Sequence, residues 1–239
     1  MSENVVLLHG FGGTHRAWDG VVGLLERERY RPLALDLSGH GAAADALRPI
    51  SFGGCVEQVL AASPPGFALC GYSLGGRVAL HVALAAPERV ERLVLIGVNP
   101  GIEDGAEREA RRRADLVLAD DLQQKPYEEF IERWRTQPLF AADPPEVGAL
   151  ARADQRRNRP DALAAAMRGL SLGEMQPLWH RLKELSMPVT VLVGERDEKF
   201  CALGRRMAEL LPAGRLVVAP GGHGLPLENP AAVAQALSL

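Results

Sequence analysis

Apolar residues in this chain come in short, β-branched or leucine-rich runs. Val5 to Leu8, Pro32 to Asp36, Phe67 to Gly71, Arg92 to Gly97, Val189 to Gly194 and Arg215 to Pro220 each read as a buried strand. All but the last lead toward a segment of helical spacing, such as Ala17 to Glu28, Gly53 to Ala62, Leu74 to Ala86 or Ala202 to Leu211. Strands that are apolar at every position, alternating with helices, predict a parallel sheet covered on both faces. The alternation stops between Asn99 and Leu185. There Arg, Asp, Glu, Gln and Ala recur at helical spacing, as in "EREARRRADLVLADDL", with breaks at Pro126, Pro138, Pro144 and Pro145. The pattern predicts an α/β core from residues 1–99 and 187–239, with an all-helical cap at 100–186 lying over the carboxyl ends of the strands.

Composition narrows the classes of partner. The chain has 239 residues, 47% of them hydrophobic, enough for one sizeable core. A formal net charge of -3 gives no global positive excess that would recommend nucleic acid or an anionic membrane. Cys55, Cys70 and Cys201 are scattered and show neither disulfide nor zinc spacing. The N-terminus "MSENVVLLHG" lacks a signal-peptide core and no run approaches the ~20 apolar residues of a membrane span, so a cytoplasmic protein is expected. The sequence carries no signal for oligomeric state.

Chemistry enters at Gly71-Tyr72-Ser73-Leu74-Gly75. This is G-x-S-x-G between a predicted strand and a predicted helix, the setting of a nucleophile elbow. A turn this tight strains the serine, and a side chain at Gly71 or Gly75 would collide with the neighbouring backbone. Serine is a weak base or nucleophile until a histidine takes its proton and a carboxylate orients that histidine. Asp197, after "VTVLVG", and His223, after "RLVVAP", follow Ser73 in the required order and on loops at the same sheet edge. Glu195 and Glu198 are rival carboxylates. His9 and His40 are expected to build Gly-rich loops, and His15, His81 and His180 to be surface or packing residues. The stretch "LLHGFGG" after the first strand puts the Phe11 N–H where it can join that of Leu74 in an oxyanion hole.

Through "HGFGG", "DLSGHG", "GYSLGGR", "GERDEKF" and "GGHGLPLENP" the chain resembles the α/β-hydrolase superfamily from end to end. It departs at the start, where the usual two-stranded lead-in is missing, so about six strands, all parallel, are expected.

Arg77 lies one helical turn beyond Ser73, on the same face. A general esterase has no need of a fixed charge there. The cap adds Arg108, Arg111, Arg112 and Arg113 in one segment and Arg152, Arg156, Arg157 and Arg159 in another. One from each group facing inward would form, with Arg77, a site for a small-molecule polycarboxylate.

More narrowly, "GYSLGGRVA", "NPGIEDGAEREARRRAD", "RWRTQPLF", "RRNRPDALAAAM" and "GERDEKF" resemble the 2-succinyl-6-hydroxy-2,4-cyclohexadiene-1-carboxylate synthases of menaquinone biosynthesis. That resemblance implies a triad of Ser73, Asp197 and His223. It implies carboxylate-binding roles for Arg77, Arg111 and Arg156, and pocket roles for Tyr72 and Trp134. It departs at Asn99, where relatives carry histidine, and in "DLSGHGAAAD", which lacks the proline before Gly39. The implied chemistry is elimination of pyruvate from a tricarboxylated enolpyruvyl intermediate to give a cyclohexadiene, with Ser73 as base and no metal or organic cofactor. Two alternatives stay open: a carboxylesterase or carbon-carbon bond hydrolase on the same triad, and a non-catalytic ligand-binding protein of this fold.

Overall fold

The computed structural model describes residues 2–238. Six parallel strands, β1 (Glu3–Leu8), β2 (Tyr30–Leu35), β3 (Phe67–Tyr72), β4 (Val90–Ile96), β5 (Val189–Gly194) and β6 (Gly214–Ala219), form one sheet in the order β2-β1-β3-β4-β5-β6. Successive side chains of a strand face opposite sides of a sheet, and here both sides are covered. Val6, Leu8, Leu69, Leu93 and Val191 join one buried cluster, while Val5, Leu7, Cys70, Val94 and Leu192 join the other. That is why the central strands read as unbroken apolar runs.

Helices α1 (Asp19–Leu24), α2 (Phe52–Ala62) and α3 (Leu74–Ala85) belong to the first half of the chain. Four more, α4 (Gly105–Gln124), α5 (Tyr127–Arg135), α6 (Pro145–Gln155) and α7 (Pro160–Gly169), lie between β4 and β5. After β5 come α8 (Glu198–Leu210), the short α9 (Leu225–Glu228) and α10 (Pro230–Leu237). Prolines act as starters in the inserted segment. Pro126 and Pro144 cap α5 and α6, and Pro145 and Pro160 occupy first-turn positions, where the missing N–H costs nothing. The inserted helices close over a small core of their own, including Leu122, Phe130, Leu163 and Met167.

Three expectations change. The helix expected over Ala17 to Glu28 is a 3-10 turn, His15–Trp18, followed only by α1, because Leu25 leaves it in extended backbone and is buried. The last strand is not buried: β6 is a sheet edge, and Val218 on it is exposed. The C-terminal α10, absent from the expected elements, packs Val233, Ala236 and Leu237 into the second cluster.

The strand order reverses direction at β1. From β1 the chain steps to β2 on one side, then returns to place β3 on the other, with Leu8 opposite Gly71. The crevice at the carboxyl ends of such a pair is where open α/β sheets bind ligands. Here it holds the loop after β1, with Phe11, and the turn after β3, with Ser73.

Candidate active site

Ser73 is the one non-glycine residue among those described with positive φ, at φ 52° and ψ -108°. The neighbouring glycines permit the turn. A Cβ on Gly71 would stand 2.4 Å from the Gly75 carbonyl oxygen, and one on Gly75 would stand 2.2 Å from that of Leu8. The Ser73 N–H donates to the Ile96 oxygen at 2.9 Å, pinning the elbow to β4. Leu74 then opens α3, where amide N–H groups have no intrahelical acceptor and the helix dipole favours negative charge.

The loop after β1 is held against this elbow. A Cβ on Gly10 would sit 2.8 Å from the Tyr72 ring. The Gly10 carbonyl accepts from the Gly13 N–H at 3.1 Å and from His9 Nδ1 at 2.8 Å. His9 Nε2 accepts from the Leu37 N–H at 3.0 Å, which places the ring proton on Nδ1. A trans peptide is planar with its C=O and N–H opposed, so fixing the Gly10 carbonyl also aims the Phe11 N–H. Burial lowers the pKa of His9 and takes that of His40 down to about 3, so both rings are neutral parts of the loop, as expected.

Asp197 caps α8, where Oδ1 accepts from the Phe200 N–H at 3.3 Å. Its Oδ2 accepts from His223 Nδ1 at 2.7 Å. Both side chains are buried, while Glu195 and Glu198 are exposed. His223 Nε2 is buried and makes no hydrogen bond to the protein, leaving it free to accept a proton. The imidazole packs among Phe200, Tyr72 and Phe140, with ring centroids at 4.5, 5.3 and 5.9 Å. Gly97, with φ 56°, has room only for hydrogen beside it, since a Cβ would stand 2.8 Å from His223 Cε1.

Ser73, Arg77, Arg111, Tyr72, Trp134 and Phe11 line one recess of about 720 Å³, open to solvent. Arg77 is fixed by Nη1 donating to the Leu170 carbonyl at 2.8 Å and by its approach to the Phe52 ring. Burial, and then the neighbouring Arg111, push its pKa down to about 9, so its charge is held at neutral pH in a site short of counter-charge. Arg111 Nε donates to both carboxylate oxygens of buried Asp115 at 2.9 Å, and Ser171 Oγ donates to Asp115 Oδ2 at 2.7 Å. Burial pushes the Tyr72 hydroxyl up in pKa, so this pocket wall is uncharged.

Arg156 is a correction. It is not brought to the recess, because Nε and Nη2 form an exposed ion pair with Glu128 at 2.8 to 3.2 Å. Arg152, four residues earlier, does the same with Glu132. Gln155, preceding Arg156, turns inward instead. It lines an adjoining recess with Arg135, Asp143, Phe140 and Trp134. Arg135 is ion-paired with Asp143 and stacks over Phe140. Sequence reasoning missed Gln155, Arg135, Phe140 and Phe200. Gln155 lies a helical step of four from Ala151, which the structure buries in α6, but nothing in the sequence marks that face of the helix as the inner one.

Comparisons with known proteins agree with this fold. Residues 5–236 match the model of the alpha/beta hydrolase family. The chain is 37% identical over 242 residues to the 2-succinyl-6-hydroxy-2,4-cyclohexadiene-1-carboxylate synthase of Enterobacter sp. (strain 638), covering 98% of this chain and 90% of that protein. The structure of MenH from S. aureus superposes with a TM-score of 0.90 at 29% identity, covering 99% of this chain and 92% of that one. A thermophilic esterase from Thermogutta terrifontis, in a malate-bound structure, reaches a TM-score of 0.82 at 25% identity, covering 100% and 89%.

Proposed function

The chain belongs to the alpha/beta hydrolase family, and within it we propose that it is a 2-succinyl-6-hydroxy-2,4-cyclohexadiene-1-carboxylate synthase acting in menaquinone biosynthesis. The observation that carries this reading is the company Ser73 keeps. A strained serine and two cap-and-core arginines, Arg77 and Arg111, line one recess, and the buried His223–Asp197 pair packs against Tyr72, Phe140 and Phe200 of its wall. An ester hydrolase needs the serine and the His223–Asp197 pair, whereas a polycarboxylate substrate needs the arginines.

In the proposed reaction Ser73 Oγ removes a ring proton α to a carbonyl while His223 Nε2 accepts the serine proton. Asp197 stabilises the imidazolium that results. Electrons from the broken C–H bond pass into the carbonyl, and the Phe11 and Leu74 N–H groups hold the oxyanion. As the carbonyl re-forms, the electron pair creates the ring double bond and the C–O bond to the enolpyruvyl group breaks. The departing enolate takes up a proton and becomes pyruvate. Arg77 and Arg111 hold substrate carboxylates in the orientation this departure needs. The substrate is a small polycarboxylate, and the setting is the cytoplasm.

Pyruvate release from the enolpyruvyl intermediate, followed with a coupled dehydrogenase, tests the reading. Saturable release is expected, and its absence in folded protein would overturn it. The likeness to a malate-bound esterase favours ester hydrolysis as the second reading. Faster turnover of p-nitrophenyl acetate than of the enolpyruvyl substrate, through an acyl-Ser73 intermediate, would establish that one instead.

A further inference from the structure

The loop carrying Phe11 is built only partly by the core. Its far side is held by the end of α6 and the turn into α7. Asp154 Oδ2 accepts from the Thr14 N–H at 2.8 Å, and Asp154 Oδ1 accepts from Thr14 Oγ1 at 2.5 Å. Asn158 Nδ2 donates to the Gly12 carbonyl at 2.8 Å, while its Oδ1 accepts from the Gly41 N–H at 2.9 Å. These bonds join residues 117 to 146 positions apart, and Thr14, Asp154 and Asn158 are all buried. Two side chains from the inserted helices therefore clamp the β1 loop at Gly12 and Thr14, either side of Gly13, whose N–H closes the turn onto the Gly10 carbonyl.

We propose that Asp154 and Asn158 are positioning residues for the oxyanion hole, so that docking of the cap sets the direction of the Phe11 N–H. Neither touches the reacting atoms. They act through the Gly10–Gly13 turn, which has little stiffness of its own: Gly12 is at φ 75° and three of its four residues are glycine. An oxyanion donor works because it is already aimed when charge develops. Loosening the clamp should cost turnover and leave affinity for the carboxylates, which Arg77 and Arg111 bind elsewhere. The inference rests on the proposed role of Phe11.

The test is steady-state pyruvate release, with parallel p-nitrophenyl acetate hydrolysis, by the full chain carrying Asp154→Ala, Asp154→Asn, Asn158→Ala or the control Arg113→Ala, an exposed cap arginine paired with Glu109. For Asp154→Ala and Asn158→Ala, kcat per folded enzyme should fall about ten- to a hundredfold, less than the loss of a whole oxyanion donor, with KM within about threefold of wild type. Asp154→Asn should recover part of kcat, because its amide oxygen still accepts from the Thr14 N–H, and Arg113→Ala should match wild type. If Asp154→Ala does not fold, Asp154→Asn and Asn158→Ser carry the same kcat test. Unchanged kcat in folded variants, or a loss lying wholly in KM, would overturn the proposal. Wild-type protein that hydrolyses the ester but releases no pyruvate would remove the synthase reading alone, and the clamp is then judged on ester kcat.

Discussion

Arg77 and Arg156 are both arginines on or beside helices near the candidate site, yet they end in opposite surroundings. Arg77 sits in α3, which is docked on the sheet and begins at the elbow, so its direction relative to Ser73 is fixed by one helical turn. Arg156 ends α6, a cap helix with one face toward the recess and one toward α5. It shares the outer face with Arg152, four residues earlier, and the two pair with Glu128 and Glu132, which are themselves four apart on α5. Where a helix is anchored to the sheet, spacing from a landmark residue gives direction. In an inserted helix the landmark is missing, and a partner helix can claim the charged face.

The sharpest attack on the core half of this contrast is Ser73→Ala. Removing the base should lower pyruvate release by about a thousandfold, within the range proton-transfer groups contribute, while substrate still binds through the arginines. Single-turnover kinetics and equilibrium binding measured together check it. Loss of binding in parallel with turnover would make the serine a substrate contact, and the elbow would then have some other use.

Arg77→Ala and Arg111→Ala come next. Each leaves a substrate carboxylate without its charge-assisted partner, costing roughly 1.5 to 3 kcal/mol, or about ten- to a hundredfold in kcat/KM. Arg77→Lys should regain only part, because it keeps the charge without the planar fork. Near-wild-type efficiency in both alanine variants would leave a hydrolase-fold enzyme with no case for a polycarboxylate.

Much of the core was legible because its constraints are local. A strand buried on both faces must be apolar throughout, and the G-x-S-x-G turn must lie between a strand and a helix. From those two facts follow the elbow at Ser73 and its sheet edge, whereas the order Ser, Asp, His that pointed to Asp197 and His223 belongs to the hydrolase-fold motif. The preference for Asp197 over Glu198 rested on its depth in the loop, and in the structure Asp197 caps α8 and is buried while Glu198 is exposed. The shortening of α1, the exposed edge strand β6 and the inward turn of Gln155 were not legible. Each depends on which neighbour covers a face, and that is tertiary information. Arg135 was hidden differently: in a chain with 27 basic residues, one arginine beside Trp134 carries no signal until its burial against Asp143 is seen.

The histidines of the β1 and β2 loops sharpen the contrast in another observable, stability. Burial, and then His9, hold His40 well below its ordinary 6.5, at about 3. The unfolded chain therefore binds more protons than the folded one between those values. Stability contributed by the neutral His40 ring is fully present above about pH 6.5 and is lost as pH falls toward 3, at up to about 1.4 kcal/mol per pH unit. Urea midpoints at pH 7 and pH 5 should fall less steeply for His40→Phe than for wild type, whatever the variant's absolute stability. Equal slopes would place the acid sensitivity in other groups.

The smallest effect belongs to Arg156→Ala. Its guanidinium is exposed and its pairing with Glu128 is an inter-helix surface contact, screened by solvent and of little consequence for stability. Pyruvate release should therefore stay within about twofold of wild type, alongside the Arg112→Ala control, whose guanidinium pairs with Glu109 on the same helix. Gln155→Ala, one residue away, should do more, because it removes part of the wall of the recess that Gln155 lines with Trp134 and Arg135. Measuring kcat/KM for the three variants beside Arg77→Ala separates direction from mere charge. A loss for Arg156→Ala as large as that for Arg77→Ala would mean that Arg156 exchanges Glu128 for a substrate carboxylate during turnover. The outer face of α6 would then belong to the active site after all, and the difference between the anchored helix and the inserted one would be a difference between resting structures only.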